Sequence, residues 1–147
     1  MNKRTVSSLH PAWVQFQGDL TAQVLNRLSP AALAYIGDAV YELYVRCYFL
    51  LPAKRMADYH HRVVGQVRAE QQAKILDYWN AHLSSGEQAW VKKGRNGANS
   101  QSRRADPALY QAASGFETLV GYLFLQDPQR LASLLNKLDY SIFDKNQ

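Results

Sequence analysis

Two carboxylates stand in segments that otherwise read as buried helix. Asp38 lies within "ALAYIGDAVYEL" (residues 32–43) and Glu117 within "SGFETLVGYLFL" (residues 114–125). Gly37 directly precedes the aspartate, and Gly121 follows the glutamate by four residues. A glycine inside a helix costs about 1 kcal/mol relative to alanine, and a carboxylate taken out of water costs several more unless it is paired. Glycines in two apolar helices permit close approach, which would bring the two acids near each other. Neighbouring carboxylates repel, and one pKa is pushed up. A hard divalent cation removes that penalty, because Mg²⁺ takes oxygen ligands and keeps several waters. Asp38 and Glu117 therefore read as a candidate metal site for Mg²⁺, with Mn²⁺ as a substitute. The same acids also admit a structural reading, as ion pairs with Arg46 or Arg68 at the edge of the core.

Clustered cations supply a partner for such a site. Between Glu87 and Asp106 lie Lys92, Lys93, Arg95, Arg103 and Arg104 with no acid among them, so this window alone equals the +5 net charge of the whole chain. Such a cluster favours a polyanion, with nucleic acid the first candidate. A solvated basic loop is the alternative. Asn96 and Asn99, in the same stretch, suit contacts to 2′-hydroxyls or base edges.

Helices must hold these groups in place. Residues 1–18 read as a loose N-terminal extension broken by Pro11 and Gly18. Asp19 is placed to cap a short helix through about Leu28. Ser29-Pro30 then gives an N-cap followed by proline at the first helical position. That helix is expected to run to about Leu50, with Leu33, Ile36, Val40, Leu43 and Cys47 as its apolar face and Cys47 as a small core residue. A further helical region follows Pro52, with Gly65 as a break or a close packing point. "SSGE" at 84–87 reads as a loop into the short helix "EQAWVKKG", and "GRNGANSQSRRADP" (residues 94–107) as a mobile loop. "PALYQAASGFETLVGYLFLQ" and, capped by Asp127-Pro128, "PQRLASLLNKL" complete the set. The expectation is an all-α fold of six or seven helices around one core, spanning residues 19–138, with 139–147 as a tail.

Composition narrows the classes. A chain of 147 residues with 47% hydrophobic content is long and apolar enough for one real core. No apolar run approaches the ~20 residues of a membrane span, and the N-terminus lacks the apolar stretch of a secretory signal. Cys47 is the single cysteine, which excludes an internal disulfide and a cysteine-rich zinc site and points to a reducing cytoplasm. His60 and His61 are adjacent, diverge by about 100° on a helix, and do not jointly chelate one ion. Trp79 and Trp90 read as packing residues.

"YIGDAVYEL" resembles the first signature of the ribonuclease III catalytic domain, and "GFETLVGYLFL" resembles the second. "HHRVVGQVRAEQQAKIL" is similar to the helical segment between them, and the basic "VKKGRNGANS" resembles the Mini-ribonuclease III branch in particular. The resemblance covers roughly residues 20–137. It implies an all-α ribonuclease III-type domain that hydrolyses double-stranded RNA with Mg²⁺ on Asp38 and Glu117, leaving a 5′-phosphate and a 3′-hydroxyl. It further implies a homodimer, maturation of large-subunit (23S) ribosomal RNA precursor, and a cytoplasmic location in a bacterium or a plastid. After the catalytic domain only about ten residues remain, too few for the double-stranded RNA-binding domain of larger relatives. RNA contact then falls to Lys92, Lys93, Arg95, Asn96, Arg103 and Arg104. The larger enzymes carry acids where this chain has Ala34 and Ser114, so two of four expected carboxylates remain. A catalytically silent RNA-binding domain that aids ribosome assembly is the other reading of that loss.

Overall fold

Most helices begin where the sequence supplies a side-chain cap. A computed structural model describes residues 20–98 and 106–143. α1 (Ala22–Arg27) is capped by Thr21, whose Oγ1 accepts from the Val24 N–H at 3.2 Å, rather than by Asp19, which lies outside the described residues. α2 (Pro30–Tyr48) starts as the sequence indicates: Ser29 Oγ accepts from the Ala32 N–H at 3.1 Å and Pro30 takes the first position. α3 (Met56–Val67) and α4 (Ala69–Asn80) meet at Arg68. α5 (Ser85–Gly97) opens on a reciprocal capping box between Ser84 and Glu87. α6 (Pro107–Gln126) and α7 (Pro128–Leu135) are capped by Asp106 and Asp127, each followed by proline. A single turn, α8 (Tyr140–Phe143), ends the described chain. Among the described residues there is no strand, and the all-α expectation of six or seven helices holds, with this last turn as an eighth.

α6 is the central element, packed against α2, α4 and α5. Phe116, Leu119 and Val120 are fully buried on it. Phe116 meets Tyr41 of α2 edge-on at 4.9 Å and Trp79 of α4 at 5.3 Å between ring centroids. The α2–α6 contact is closer than side chains allow. A Cβ added at Gly37 would overlap the Glu117 carbonyl oxygen and lie 2.8 Å from the Gly121 nitrogen, and one added at Gly121 would overlap the Leu33 carbonyl oxygen. Main chain touches main chain here. The α5–α6 contact uses the same device, with Gly94 facing Thr118 and the Cα of Gly115.

Several sequence expectations are corrected. α2 ends at Tyr48, and its buried row is Leu33, Gly37, Tyr41, Val45 and then Phe49, all at i+4 steps. Leu43 is 46% exposed and Cys47 is exposed, so neither is a core residue. A hydropathy reading passes over Gly37 because it has no side chain, and that shifts the inferred face around the helix. Gly65 is neither a break nor a close packing point: it sits inside α3 with nothing within 4 Å of an added Cβ. The break falls at Arg68, whose extended backbone (φ −68°, ψ 154°) ends one helix and begins the next. The core also passes the expected boundary at 138, since Tyr140 is buried and its hydroxyl lies 3.0 Å from that of Tyr41.

Candidate active site

The Gly37–Gly121 crossing sets Asp38 of α2 beside Glu117 of α6, with their side chains in hydrogen-bonding contact. Burial is the main cause that pushes the Glu117 carboxyl up to about 7, the Asp38 charge adds to it, and the Gln72 amide opposes it. Asp38 is also raised, by its own burial and the Glu42 charge, while its hydrogen bond with Glu117 acts the other way. One proton is therefore shared by the pair, and it resides mainly on Glu117. Arg46 is committed to Glu42 at 3.3 Å. Among the described residues neither Asp38 nor Glu117 forms an ion pair with a base, so the structural reading through Arg46 or Arg68 does not hold.

Asp38 and Glu117 open into a cleft of about 240 Å³ bordered by Ala34, Tyr35, Ser114 and Thr118. Ala34 and Ser114, the positions where acids are missing, thus face the same space as the acids that remain. Gly94, Gly97 and Ala98 of α5 form the opposite wall. Thr118, which sequence reasoning missed, is fully buried next to Glu117. Its hydroxyl lies 2.7 Å from the Ser114 carbonyl and 3.2 Å from the Pro30 carbonyl, tying the first turn of α2 to α6. A threonine in an otherwise apolar helix was the available signal. Gln72 of α4, also missed, is fully buried beside Glu117.

Among the described residues the cations of this cluster divide between two flanks of α5. Lys92 and Lys93 lie on α5 as expected, and Arg95 and Asn96 join them there rather than in the loop, because the helix continues to Gly97. Lys92 and Arg95 share one flank and line a second cleft, of about 260 Å³, with Asp77 and Asn80 of α4. The Lys93 ammonium sits 4.2 Å over the Trp90 ring, which stacks on Tyr122 at 4.5 Å. Asn96 is exposed. Arg103, Arg104 and Asn99 lie outside the described residues. A third cleft, of about 550 Å³, is lined in part by Glu87 and Arg130. There Glu87 receives two hydrogen bonds of 2.9 Å from Arg130, which also donates to the His82 carbonyl at 2.7 Å. Those charges satisfy each other.

Residues 31–128, which hold both acids and all of α2 but its first residue, match the ribonuclease III domain family. The chain belongs to that family. Within it, this ribonuclease III domain is 57% identical over 126 residues to the Mini-ribonuclease 3 of Synechocystis sp., covering 86% of this chain and 88% of the relative. It is 49% identical over 119 residues to the Mini-ribonuclease 3 of Synechococcus sp. (81% and 86%). It is 31% identical over 131 residues to that of Clostridium tetani (87% of each). A crystal structure of a Fusobacterium nucleatum protein shares the fold with a TM-score of 0.68 at 23% identity, covering 75% of this chain and 90% of that one. The resemblance read from the two signatures is thereby established.

The raised carboxyls fix the sign of a pH dependence. Unfolded, Glu117 releases its proton near 4.5; folded, it keeps it to about 7. The native state binds more protons between those values, so the stability from this group is full below 4.5 and lost as pH rises through 7. Glu87, which Arg130 holds below the usual range, acts oppositely and only at lower pH. Thermal melts in chelator should therefore show Tm falling between about pH 5 and pH 8, with added Mn²⁺ restoring it at the upper end. A metal-free Tm that is flat or rises across that range would contradict the coupled carboxyl pair.

Proposed function

We propose that this ribonuclease is an endonuclease that cleaves double-stranded RNA using Mg²⁺, or Mn²⁺, held by Asp38 and Glu117. The observation that carries the reading is the contact between two carboxylates that no base among the described residues neutralises, placed by main-chain packing at the mouth of a cleft. Among the described residues no group of three or more His, Cys, Asp or Glu side chains converges. Two oxygen donors and space for waters suit a hard cation that keeps much of its hydration. Mg²⁺ bound there would supply charge stabilisation for the phosphoryl oxygens and an acidified water.

The chain's own groups do the positioning. Glu117 holds a proton in the free site and surrenders it on loading, so cation affinity rises as pH climbs toward about 7. Asp38 stays the more readily ionised member and anchors the site. Ala34, Gly97 and Ala98 leave the cleft walls low, so a phosphodiester backbone can approach both carboxylates. Water attack on phosphorus then displaces the 3′ oxygen, giving a 5′-phosphate and a 3′-hydroxyl. The proposal extends to precursor 23S ribosomal RNA as substrate and to a bacterial cytoplasm, or a plastid, as the place; the likeness to bacterial Mini-ribonuclease 3 proteins supports the ribonuclease reading alone. Among the described residues no helix is long and apolar enough to cross a membrane.

A homodimer completes the proposal, one site for each strand. Its support is the outer face of α2, where Tyr35 (84% exposed), Leu43 and Cys47 lie uncovered, with exposed Leu50 just beyond the helix end. Apolar groups exposed along one helix face mark an interaction surface. A monomer mass by sedimentation at micromolar concentration would remove the dimer.

The deciding experiment offers the protein perfectly paired RNA with Mg²⁺ or with chelator. Metal-dependent double-strand cleavage is expected; none at any salt concentration would leave the silent RNA-binding reading, which the loss of acids at Ala34 and Ser114 favours. Lys92 and Arg95 together should carry phosphate contacts. Their double alanine variant is expected to lower the log–log salt slope of binding by roughly two, about one per contact. An unchanged slope would show that RNA does not reach the α4–α5 flank.

A further inference from the structure

Gln72 is 1% exposed, and its Nε2 has no hydrogen-bond partner among the described residues. An amide that has lost water and gained no acceptor costs about 1–3 kcal/mol. Leucine or methionine would fill a core position on α4 without that penalty. The helix itself is fixed firmly, since Trp79 two turns later is buried against Phe116, the residue before Glu117. The amide is thus held beside the Glu117 carboxylate, near enough to lower its pKa but without a hydrogen bond of full geometry.

We propose that Gln72 is a positioning residue for the metal site: its amide donates to the Glu117 oxygen that a cation leaves free, and so fixes the carboxylate's orientation toward Asp38. The inference rests on the reading of Asp38 and Glu117 as metal ligands. Groups that orient a ligand from behind typically contribute 10–100-fold to metal affinity. The uncompensated amide in the free protein is the stability given up for that orientation. Affinity and stability are therefore expected to move in opposite directions when it is removed.

Gln71 provides an internal control. It is likewise buried with an unpartnered Nε2, yet it is turned about 100° round α4 and does not act on either carboxylate. The test measures Mn²⁺ binding to the full chain by calorimetry without RNA, together with Tm in chelator. For Gln72→Met, the Mn²⁺ Kd should rise at least about 10-fold while Tm stays level or increases. For Gln71→Met, Kd should not change. Should Gln72→Met fail to fold, Gln72→Asn keeps the amide but withdraws it by one methylene, and the same rise in Kd is expected. Wild-type affinity in a folded Gln72 variant would overturn the proposal, as would a Kd rise matched by Gln71→Met. A wild-type chain that binds no Mn²⁺ would instead remove the metal site itself, and this role with it.

Discussion

Asp38→Asn should reduce cleavage of paired RNA by at least ~10³-fold, the several kcal/mol that a catalytic cation contributes. Asparagine keeps the shape of the side chain and loses one of the two charges. RNA binding should persist or tighten, because a negative charge facing phosphate is gone. In chelator the variant should also melt higher than wild type at pH 7.5, since Glu117 loses the like charge that raises its pKa. Single-turnover cleavage, fluorescence anisotropy and a thermal melt separate the three effects. More than a tenth of wild-type cleavage in this variant would show that Asp38 is not a ligand.

Gly37→Ala should be the most damaging single methyl group in the domain. The added Cβ meets the Glu117 carbonyl oxygen and the Gly121 nitrogen, both main-chain atoms that no rotamer change can move. Ordinary overpacking costs about 1–3 kcal/mol; separating two helices that touch through their backbones should cost at least ~3 kcal/mol. In a domain of this size that corresponds to a Tm loss of roughly 10 °C. Gly65→Ala makes the matching control. It too is an interior helix position, but it has open space around it, so the helix preference for alanine should stabilise the protein by up to about 1 kcal/mol. Equal Tm values for the two variants would contradict the close crossing.

The elements that the sequence disclosed are those with local causes. Ser29-Pro30, Asp106-Pro107 and Asp127-Pro128 each mark a helix start because an N-cap and a proline act within one turn. The Asp38–Glu117 pair was legible for a similar reason: an acid and a glycine both disfavour an apolar helix, so finding them together twice demands an account. Other features depend on tertiary partners that no local pattern encodes. Cys47 and Leu43 are apolar yet exposed, because the face chosen by α6 runs through a glycine. Gln72 resembles an ordinary polar residue until α4 brings it to Glu117, and Thr118 until the Pro30 carbonyl of α2 comes within reach of its hydroxyl. Arg95 and Asn96 read as loop because glycine and asparagine suggest coil, whereas α5 continues to Gly97 and divides Lys92 and Arg95 from Lys93 on two flanks. Ser84 and Glu87 held a legible capping box that placed that helix start earlier than the reading did.

The backbone contact at Gly37 and Gly121 has a bearing on what this protein can tolerate. The spacing between its two acids is measured by peptide against peptide, and no side-chain volume enters the measurement. Truncation of a distant core residue such as Leu134 or Ile75 should therefore reduce the folded population while leaving the ligand spacing in the surviving molecules intact. Fold stability and the geometry of the carboxylate pair become separable quantities, so sequence can drift widely through the rest of the core before that geometry is lost.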